Sequence, residues 1–213
     1  MSNMKKQRAR SDSEKQYRKE KLQESAKKLF SFHGYRGTTI GMITDDAGLS
    51  PASFYLYFGS KLEMYRNLNN MGIDILESMI TGALEEAPAG SGAKIRAIAG
   101  AYFRFFIQER EYYDITAILH LGHREFFADL SMVPELEERT KTLLTVMASI
   151  ISDGIESGEF VQVDLWKTAV TLWGMIDGVL ILEVKHSTGF TGVKIDELVD
   201  QMIELMLRGI SEK

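Results

Sequence analysis

The sequence predicts an all-α protein in which a small N-terminal domain precedes a larger helical body. Three observations predict this class. Apolar residues recur at the three- and four-residue spacing of a helix face through most of the 213 residues. No segment shows the two-residue alternation of a half-buried strand. Breaks rich in Gly, Pro and Ser separate the helical segments, and the clearest of them is the loop at 87–92.

The composition favours a globular protein with a substantial core. Apolar residues make up 45% of the chain, and the absence of cysteine fits a reducing cytosol, so we expect a cytoplasmic location. No uncharged apolar run reaches about 18 residues, so no membrane span is predicted. The N-terminus is basic without an apolar core segment, which is not the pattern of a secretory signal.

Charge is distributed unevenly along the chain. Residues 1–66 carry a net charge of +6, whereas the remainder carries −11. A basic N-terminal part on an acidic body is the asymmetry expected when only one end of a protein meets phosphate.

The first segment, residues 1–12, contains Lys5, Lys6, Arg8 and Arg10 with almost nothing apolar, which predicts a disordered basic tail. Such a tail can be a DNA-contacting arm or only a solvated extension, and the sequence leaves both open. The N-terminal domain is predicted over 13–60 and begins with a helix at 13–33 that Gly34 ends. Its apolar residues form one stripe, which consists of Leu22, Ala26, Leu29 and Phe30.

The stretch from Thr38 to Lys61 predicts two short helices joined by a tight turn. Thr39 is a suitable N-cap for a helix at 39–46, and Gly48 suits the turn that follows. Ser50 and Pro51 suit the N-cap and first position of a helix at 51–57, after which Ser60 caps the next helix. Two helices joined in this way form a helix-turn-helix, whose second helix enters the DNA major groove.

The same stretch resembles the DNA-binding domain of the TetR family of bacterial transcriptional regulators, over about Leu22 to Tyr65. The residues that carry the resemblance are Gly34-Tyr35, Thr38-Thr39-Ile40, Ile43, Ala47-Gly48-Leu49-Ser50, Phe54-Tyr55, Tyr57-Phe58 and Lys61. The sequence departs from the family pattern at Thr44, where Ala is usual, at Ala52, where Gly is frequent, and at the acidic pair Asp45-Asp46.

The predicted DNA-binding residues are the polar or exposed positions of the motif together with the lysine that follows it: Thr39, Ser50, Pro51, Ala52, Ser53, Tyr55, Tyr57 and Lys61. The resemblance implies that Thr39, Tyr55 and Lys61 mostly contact phosphates, which position a protein without reading sequence. The recognition helix has no Arg, Lys, Asn or Gln. We therefore expect it to read bases by hydroxyls, by apolar contact with thymine methyl groups, or by DNA shape.

The body, residues 61–213, is predicted to contain helices at 61–86, 93–109, 111–128, 134–157, 164–187 and 194–210. Its aromatic residues form either core or the wall of a small-molecule pocket between helices. On the pocket interpretation, a small hydrophobic effector is bound by Tyr102, Phe106, Tyr113, His120, His123, Arg124, Phe127, Trp173 and Asp177. Arg124 suits a carboxylate, so fatty or aromatic acids are favoured, whereas the −11 charge disfavours polyanions.

His120 and His123 lie three residues apart, with Glu125 and Asp129 nearby, and could share a metal ion. Two histidines are too few to indicate a metal site, and a polar pocket lining or an ordinary helix position are the alternatives. We predict no metal, no cofactor and no catalytic residues, because no nucleophile elbow, Gly-rich cofactor motif or spaced acid pair is present.

The last two predicted helices are apolar over more of their surface than one chain can cover, which predicts a homodimer. Gly174 and Gly178 allow close helix approach, and Asp177 between them needs a partner if buried. The predicted interface residues are Gly174, Gly178, Leu198, Met202 and Leu205. The resemblance agrees, because members of the family usually form a four-helix bundle across the dimer.

These observations predict a homodimeric, ligand-responsive transcriptional regulator that binds double-stranded DNA at a near-palindromic site. The resemblance implies that it acts as a repressor, which a small hydrophobic effector releases from its operator. An architectural DNA-binding protein without an effector is one alternative and predicts weak sequence preference. A small-molecule-modifying enzyme with a vestigial helix-turn-helix is another and predicts turnover.

Overall fold

The computed structural model describes residues 2–121, 133–184, 189 and 191–211, with side chains described at 12–116, 138–184, 189 and 191–211. Nine α-helices span these residues, and the only β-pairing among them is an isolated bridge between Phe160 and Ser211. The predicted all-α class is confirmed. The helices are α1 (Ser2–Gly37), α2 (Ile40–Asp46), α3 (Pro51–Tyr55), α4 (Lys61–Glu86), α5 (Ser91–Gln108), α6 (Arg110–Leu121), α7 (Val133–Glu156), α8 (Leu165–Val184) and α9 (Ile195–Ile210).

The chain forms two compact units. Unit 1 comprises Met1–Ile73 and Glu109–Asp129, and unit 2 comprises Asp74–Gln108 and Leu130–Lys213. The predicted domain border after residue 60 assigned all of α4 and α6 to the body. By contacts, the first half of α4 and all of α6 group with the N-terminal helices instead.

Helix α1 begins at Ser2, so the prediction of a disordered tail over 1–12 is wrong for the backbone of residues 2–12. Met, Lys, Gln, Arg and Ala in this segment are good helix formers, and no Gly or Pro interrupts them. Gly34 breaks the helix as predicted, because its φ of +70° lies in the left-handed region that favours glycine. The hydroxyl of Thr38 then ties the break to α1 by donating to the carbonyl oxygens of Leu29 and Gly34, at 3.0 and 2.9 Å.

The core of unit 1 joins α1 to α2, α3, α4 and α6. The predicted stripe of α1 is largely buried, and the rings of Phe30 and Tyr65 meet edge to face at 5.1 Å. The Tyr65 hydroxyl donates to the carbonyl oxygen of Ile115 on α6 at 2.7 Å, and burial raises its pKa. Gly72 brings α4 close to α6, since an added Cβ would lie 3.0 Å from Cγ2 of Thr116. These contacts explain why α6 belongs to unit 1.

In unit 2, α8 packs on α7 and α9, and α5 packs on α7. The N-terminus of α5 is capped by Glu159, which lies 67 residues from Gly92 in sequence. Its carboxylate accepts hydrogen bonds from the amides of Ser91 and Gly92 at 2.6 and 2.8 Å. A carboxylate at this position satisfies two amides that lack partners in the helix and favourably opposes the helix dipole.

Candidate nucleic-acid interface and effector-binding residues

The helix-turn-helix is held by the side-chain caps that the sequence predicts. Thr39 Oγ1 accepts from the amide of Met42 at 3.2 Å, and Ser50 Oγ accepts from the amide of Ser53 at 3.3 Å. Pro51 occupies the first turn of α3, where a missing N–H costs nothing. Ser60 Oγ caps α4 by accepting from the amide of Glu63 at 3.1 Å. The predicted caps are therefore confirmed.

The turn between α2 and α3 depends on Gly48, whose φ is +65°. The amide of Leu49 donates to the carbonyl oxygen of Thr44 at 2.8 Å, which closes the end of α2. Thr44 itself is fully buried, and its hydroxyl donates to the carbonyl oxygen of Gly41 at 3.0 Å. At position 44, where the family usually has Ala, the extra hydroxyl of Thr44 therefore has a hydrogen-bond partner within its own helix.

The outward surface of α3 and the residue after it is mostly apolar. Phe54 is fully buried and anchors the helix, whereas Pro51 and Ala52 are exposed. Tyr55 and Leu56 are 59% and 78% exposed. The prediction extended α3 to residue 57, but the helix ends at Tyr55 with Leu56 as its C-cap. Leu56 was missed as a candidate DNA contact because apolar residues are usually assigned to the core.

The ammonium group of Lys61 already donates hydrogen bonds within the protein. Its Nζ donates to the carbonyl oxygens of Tyr35 and Thr38, both at 2.7 Å, and lies 4.3 Å from the centre of the Tyr35 ring. Burial lowers the pKa of its ammonium group. An ammonium group has three donors, so two of them serve the protein and one is available for a phosphate. The predicted phosphate contact of Lys61 stays a prediction.

The two acidic residues at the end of α2, Asp45 and Asp46, lie in different environments. Asp46 Oδ1 lies 3.0 Å from Nζ of Lys28, and hydrogen bonds from Lys28 and Ser25 hold the pKa of the Asp46 carboxyl below its usual range. Asp45 is exposed. The pairing of Asp46 reduces the negative charge that α2 presents to DNA.

A groove of about 510 Å³ lies between α1 and the end of α3. It is lined by Glu14, Lys15, Arg18, Leu56 and Tyr57. One turn further along α1, Nζ of Lys19 lies 5.8 Å from the centre of the Phe58 ring. Cationic residues of α1 therefore border the end of the helix that is predicted to enter the major groove.

Among the predicted effector-binding residues, the structure joins Tyr102 and Asp177. The Tyr102 hydroxyl on α5 donates to Oδ1 of Asp177 on α8 at 2.6 Å. Burial raises the pKa of the Asp177 carboxyl to about 6, although the hydrogen bond from Tyr102 opposes this shift. Both polar groups have aromatic neighbours along their own helices. Phe106, one turn after Tyr102, is buried, and Trp173, one turn before Asp177, is half-buried.

The other predicted effector-binding residues are not brought into this group. Tyr113 is buried on α6 and belongs to unit 1. His120 lies on α6, but its side chain is outside the described residues, as are His123, Arg124 and Phe127. The alternative metal ligands Glu125 and Asp129 also lie there. These assignments stay predictions.

Two open grooves of unit 2 are lined by other residues. One, of about 620 Å³, lies between α4, α5 and α7, and the other, of about 630 Å³, borders Phe103, Ile107 and residues 192–196. Beside the first groove, Arg139 binds Glu77 and Asp74 of α4 through its guanidinium, at 2.6 and 2.7 Å.

Helix α8 buries one face inside unit 2 and leaves the other exposed. Ala169, Leu172, Ile176 and Leu180 are buried, while Gly174 and Gly178 are exposed and would meet nothing within 4 Å if a Cβ were added. Large apolar residues share the exposed surface: Trp166, Val170, Met175 and Leu182. By length and composition alone α8 could also span a membrane, and it is the one helix among the described residues of which this is true.

On α9, the structure separates the predicted interface residues. Leu205 is 56% exposed and Leu198 is half-buried, so both remain candidates. Met202 is only 5% exposed, because it packs in the core of unit 2 with Val199, Ile203 and Met206. The prediction that Met202 lies at a dimer surface is therefore corrected.

Family models match both parts of the chain. The model described as bacterial regulatory proteins of the tetR family matches residues 22–68, and the model for a tetracyclin repressor-like C-terminal domain matches residues 95–206. The second match alone covers more than half of the 213 residues.

Several known proteins are similar to this chain. The fatty acid metabolism regulator protein of Bacillus subtilis strain 168 is 24% identical over 193 residues, which cover 89% of this chain and 94% of that protein. The structure of FadR from Bacillus subtilis in complex with stearoyl-CoA has a TM-score of 0.72 at 20% identity, covering 89% of this chain and 98% of that one. The structure of AibR in complex with isovaleryl coenzyme A and operator DNA has a TM-score of 0.68 at 18% identity, and the match covers 88% of this chain and 97% of that one. At these identities the structural likeness shows the fold.

Proposed function

This chain belongs to the TetR family of bacterial regulatory proteins, and from that membership we propose that it is a cytoplasmic repressor released from its operator by a small hydrophobic effector. The observation that carries the proposal is the capped α2–α3 pair, in which buried Phe54 fixes a helix whose other side is exposed. A short helix that is anchored on one side and exposed on the other can enter the major groove.

The test is selection of operator sequences from random duplexes, followed by fluorescence anisotropy on the selected site. We expect a near-palindromic sequence with half-sites about one DNA turn apart, roughly 34–36 Å, because a twofold dimer presents two copies of α3. Selection of no preferred sequence would contradict the proposal and favour an architectural protein.

We propose that the protein acts by binding rather than by catalysis. The relatives that it matches are regulators, and the described residues contain no group of three His, Asp or Glu side chains that could hold a metal ion. The decisive assay incubates the protein with the effector that releases DNA and then examines the effector by mass spectrometry. Recovery of the effector unchanged supports binding, whereas its chemical conversion would contradict this proposal.

For the effector we propose the acyl thioesters of coenzyme A. Two similar structures contain stearoyl-CoA and isovaleryl coenzyme A, which share this chemistry. In unit 2, Phe106 lies one turn along α5 from Tyr102, and Trp173 lies one turn along α8 from Asp177. Apolar side chains beside a polar pair are suited to an acyl chain with a polar group. The −11 charge of residues 67–213 opposes the coenzyme phosphates, so we expect the acyl chain to supply most of the affinity.

This assignment is tested with matched ligands on the operator complex. Acyl-CoA esters of increasing chain length are compared with the corresponding free acids and with coenzyme A alone. We expect release by the esters with an optimum chain length and no release by coenzyme A. Release by the free acids at equal concentration would instead support the fatty acids that the sequence favours.

The effector response requires a ligand to prefer the conformation that binds DNA poorly. Within unit 1, polar contacts join helix α6 to α1, and α1 in turn packs on α2 of the helix-turn-helix. Ser31 Oγ donates to Asp114 Oδ2 at 2.7 Å, and Nζ of Lys27 lies 3.2 Å from Glu111 Oε2. A shift of α6 must therefore move or break contacts with α1. Asp114→Ala should reduce the change in operator affinity that the effector produces, while effector affinity for the free protein changes less.

Homodimers are typical of the family, and we assign the interface to the exposed face of α8 together with Leu198 and Leu205 of α9. The assignment is supported by the apolar character of this face and by the open positions at Gly174 and Gly178. Exposed glycines in a helix allow two helices to approach closely.

A further inference from the structure

We propose that Asp177 binds the carbonyl oxygen of the effector as a protonated carboxyl group, so that effector binding takes up one proton from the solvent. The proposal rests on the acyl-CoA effector proposed above and adds how its thioester group is recognised. It is carried by the hydrogen bond between Tyr102 and Asp177, by the free oxygen of that carboxyl group, and by the number of hydrogens that the pair can donate.

The Tyr102–Asp177 pair joins α5 to α8 within unit 2. The Tyr102 hydroxyl donates to Oδ1 of Asp177 at 2.6 Å. No other described residue donates a hydrogen bond to this carboxyl group, so its second oxygen, Oδ2, is not engaged. Asp177 is half-buried rather than enclosed, and Oδ2 is therefore within reach of a ligand.

The number of hydrogens in this pair decides what it can bind. A thioester carbonyl oxygen is an acceptor and needs a donor. Tyr102 has one hydroxyl hydrogen, which it gives to Oδ1, and an ionised carboxylate has none to donate. Protonation of Asp177 on Oδ2 supplies the missing hydrogen. A carbonyl oxygen therefore pairs with the protonated form and is repelled by the ionised form.

The surroundings of Asp177 favour its neutral form. Burial raises the pKa of its carboxyl to about 6, and the hydrogen bond from Tyr102 on α5 opposes this shift. Helices α7 and α9 also pack on α8. Among the described residues, none of these helices, nor α8 itself, contributes a charged group to the titration of Asp177. With no cation to hold it ionised, the carboxyl group is readily protonated when an acceptor approaches.

The test measures binding of stearoyl-CoA to the free protein by isothermal titration calorimetry between pH 5 and pH 8. Its matched ligand is S-octadecyl-CoA, a thioether that has the same chain length and coenzyme but lacks the carbonyl oxygen. We expect the affinity for stearoyl-CoA relative to the thioether to fall about tenfold for each pH unit above pH 6. The coenzyme phosphate also titrates near pH 6, but it is common to both ligands and cancels in this ratio.

Asp177→Asn is the control variant, because its amide has a permanent N–H₂ group and a carbonyl oxygen that still accepts from Tyr102. The affinity of this variant for stearoyl-CoA relative to the thioether should stay constant from pH 5 to pH 8. Calorimetry at pH 7 in buffers of different ionisation enthalpy counts the protons. The unmodified protein should take up about one proton more with stearoyl-CoA than with the thioether, and Asp177→Asn should show no difference.

Tyr102→Phe separates the roles of the two residues. The hydrogen bond from Tyr102 lowers the pKa of the Asp177 carboxyl, so its removal should move the onset of weaker binding to higher pH. The preference for the thioester over the thioether should persist below that onset. Loss of this preference would show that Tyr102, and not Asp177, donates to the carbonyl oxygen, and would overturn the inference.

Two further results would also overturn it. Release of a proton on binding of stearoyl-CoA would indicate recognition by an ionised carboxylate, and an unchanged pH dependence in Asp177→Asn would assign the proton to another group. In either case the acyl ester still binds, and the proposed effector class stands. Failure of every acyl-CoA ester to bind the unmodified protein at any pH would instead refute that effector class, and the inference with it.

Discussion

Gly154 is a single residue on which the packing of unit 2 depends. A Cβ at this position would overlap the ring of Phe160 and lie 2.9 Å from Cβ of Ser91. Neither neighbour can move freely, because Phe160 is buried and Ser91 donates its amide hydrogen to Glu159. We expect Gly154→Ala to lower the free energy of unfolding by about 1–3 kcal/mol through overpacking.

The matched control for this prediction is Gly82→Ala. Gly82 lies inside α4, where an added Cβ meets nothing within 4 Å. Alanine there should raise the free energy of unfolding by roughly 0.5–1 kcal/mol, since glycine is a poor helix former. Thermal or urea unfolding of both variants decides the question, and equal effects would contradict the steric argument.

Asp177 predicts a pH dependence of stability. Its pKa in the folded protein is about 6, above the value of about 3.9 in an unfolded chain. The folded state therefore binds more protons between these values, and its stability falls as pH rises from about 4 through about 6. Asp177→Asn should remove this decrease, because the amide stays neutral and can still accept from Tyr102.

Urea unfolding at pH 4.5 and pH 7 measures this effect. The free energy of unfolding of the unmodified protein should fall relative to that of Asp177→Asn by roughly 2 kcal/mol between the two conditions. Parallel pH profiles would show that the Asp177 carboxyl titrates at its ordinary value.

Sequence reasoning succeeded for single residues whose partners lie close in the chain. The caps at Thr39 and Ser50 follow from chemistry within three residues. Lys61 was assigned to phosphate alone, because its two carbonyl partners lie 23 and 26 residues away and no local pattern reveals them. The pairing of Asp46 with Lys28, 18 residues away, was missed for the same reason.

At the scale of elements, the exposed side of α3 predicts how the operator is read. Ala52, Tyr55 and Leu56 present apolar groups and no bidentate donor. Apolar side chains distinguish thymine by its C5-methyl group. We therefore expect replacement of individual thymines in the half-site by uracil, which removes only that methyl, to weaken binding at one or more positions.

This prediction is checked by titrating the singly substituted duplexes in anisotropy. Leu56→Ala should weaken binding to the thymine site and make the protein insensitive to the uracil substitution at the contacted position. If every uracil duplex binds as the thymine duplex does, methyl contact is excluded and DNA shape or hydroxyl contacts must carry the specificity.

The bounds of most helices were predictable because breaks are local, and α4 begins and ends where the sequence indicates. The start of α1 was not predicted, since a basic composition indicates disorder while the same residues have good helix propensity. The start of α5 at Ser91 was placed two residues late, because Glu159 caps it from a distant part of the chain.

For the whole molecule, the exposed face of α8 predicts a dimer that can be disrupted at one position. Gly178→Leu places a large side chain where an added Cβ meets nothing in the single chain. The folded monomer can accept it, but a closely packed second helix cannot. We expect sedimentation to shift toward the monomer mass of 24.1 kDa and operator binding to weaken.

Gly82→Leu is the control, since Gly82 is equally open within the chain. It should sediment as the unmodified protein does. Monomeric behaviour of the unmodified protein at micromolar concentration would refute the dimer, and a dimeric Gly178→Leu would move the interface away from this part of α8.

The surplus of apolar surface on the last two helices was evident from the sequence, but its division between core and interface was not. Met202 and Leu205 both fit an apolar face, and only the packing of α9 buries one and exposes the other. The same limit applies to Tyr102, Phe106 and Tyr113, because adjacent segments of sequence can belong to different compact units.

The cap that Glu159 provides also constrains how the protein is made. The amides of Ser91 and Gly92 have no carboxylate partner until Glu159 has been synthesised. The amide of Val161 in turn donates to the carbonyl oxygen of Ile210, at 2.8 Å. Since chains emerge from the ribosome N-terminus first, unit 2 cannot complete these contacts while α9 is still being translated. The surface that we propose for the dimer includes α9 and is therefore completed late. A nascent chain that already carries the helix-turn-helix then cannot yet bind an operator as a complete dimer.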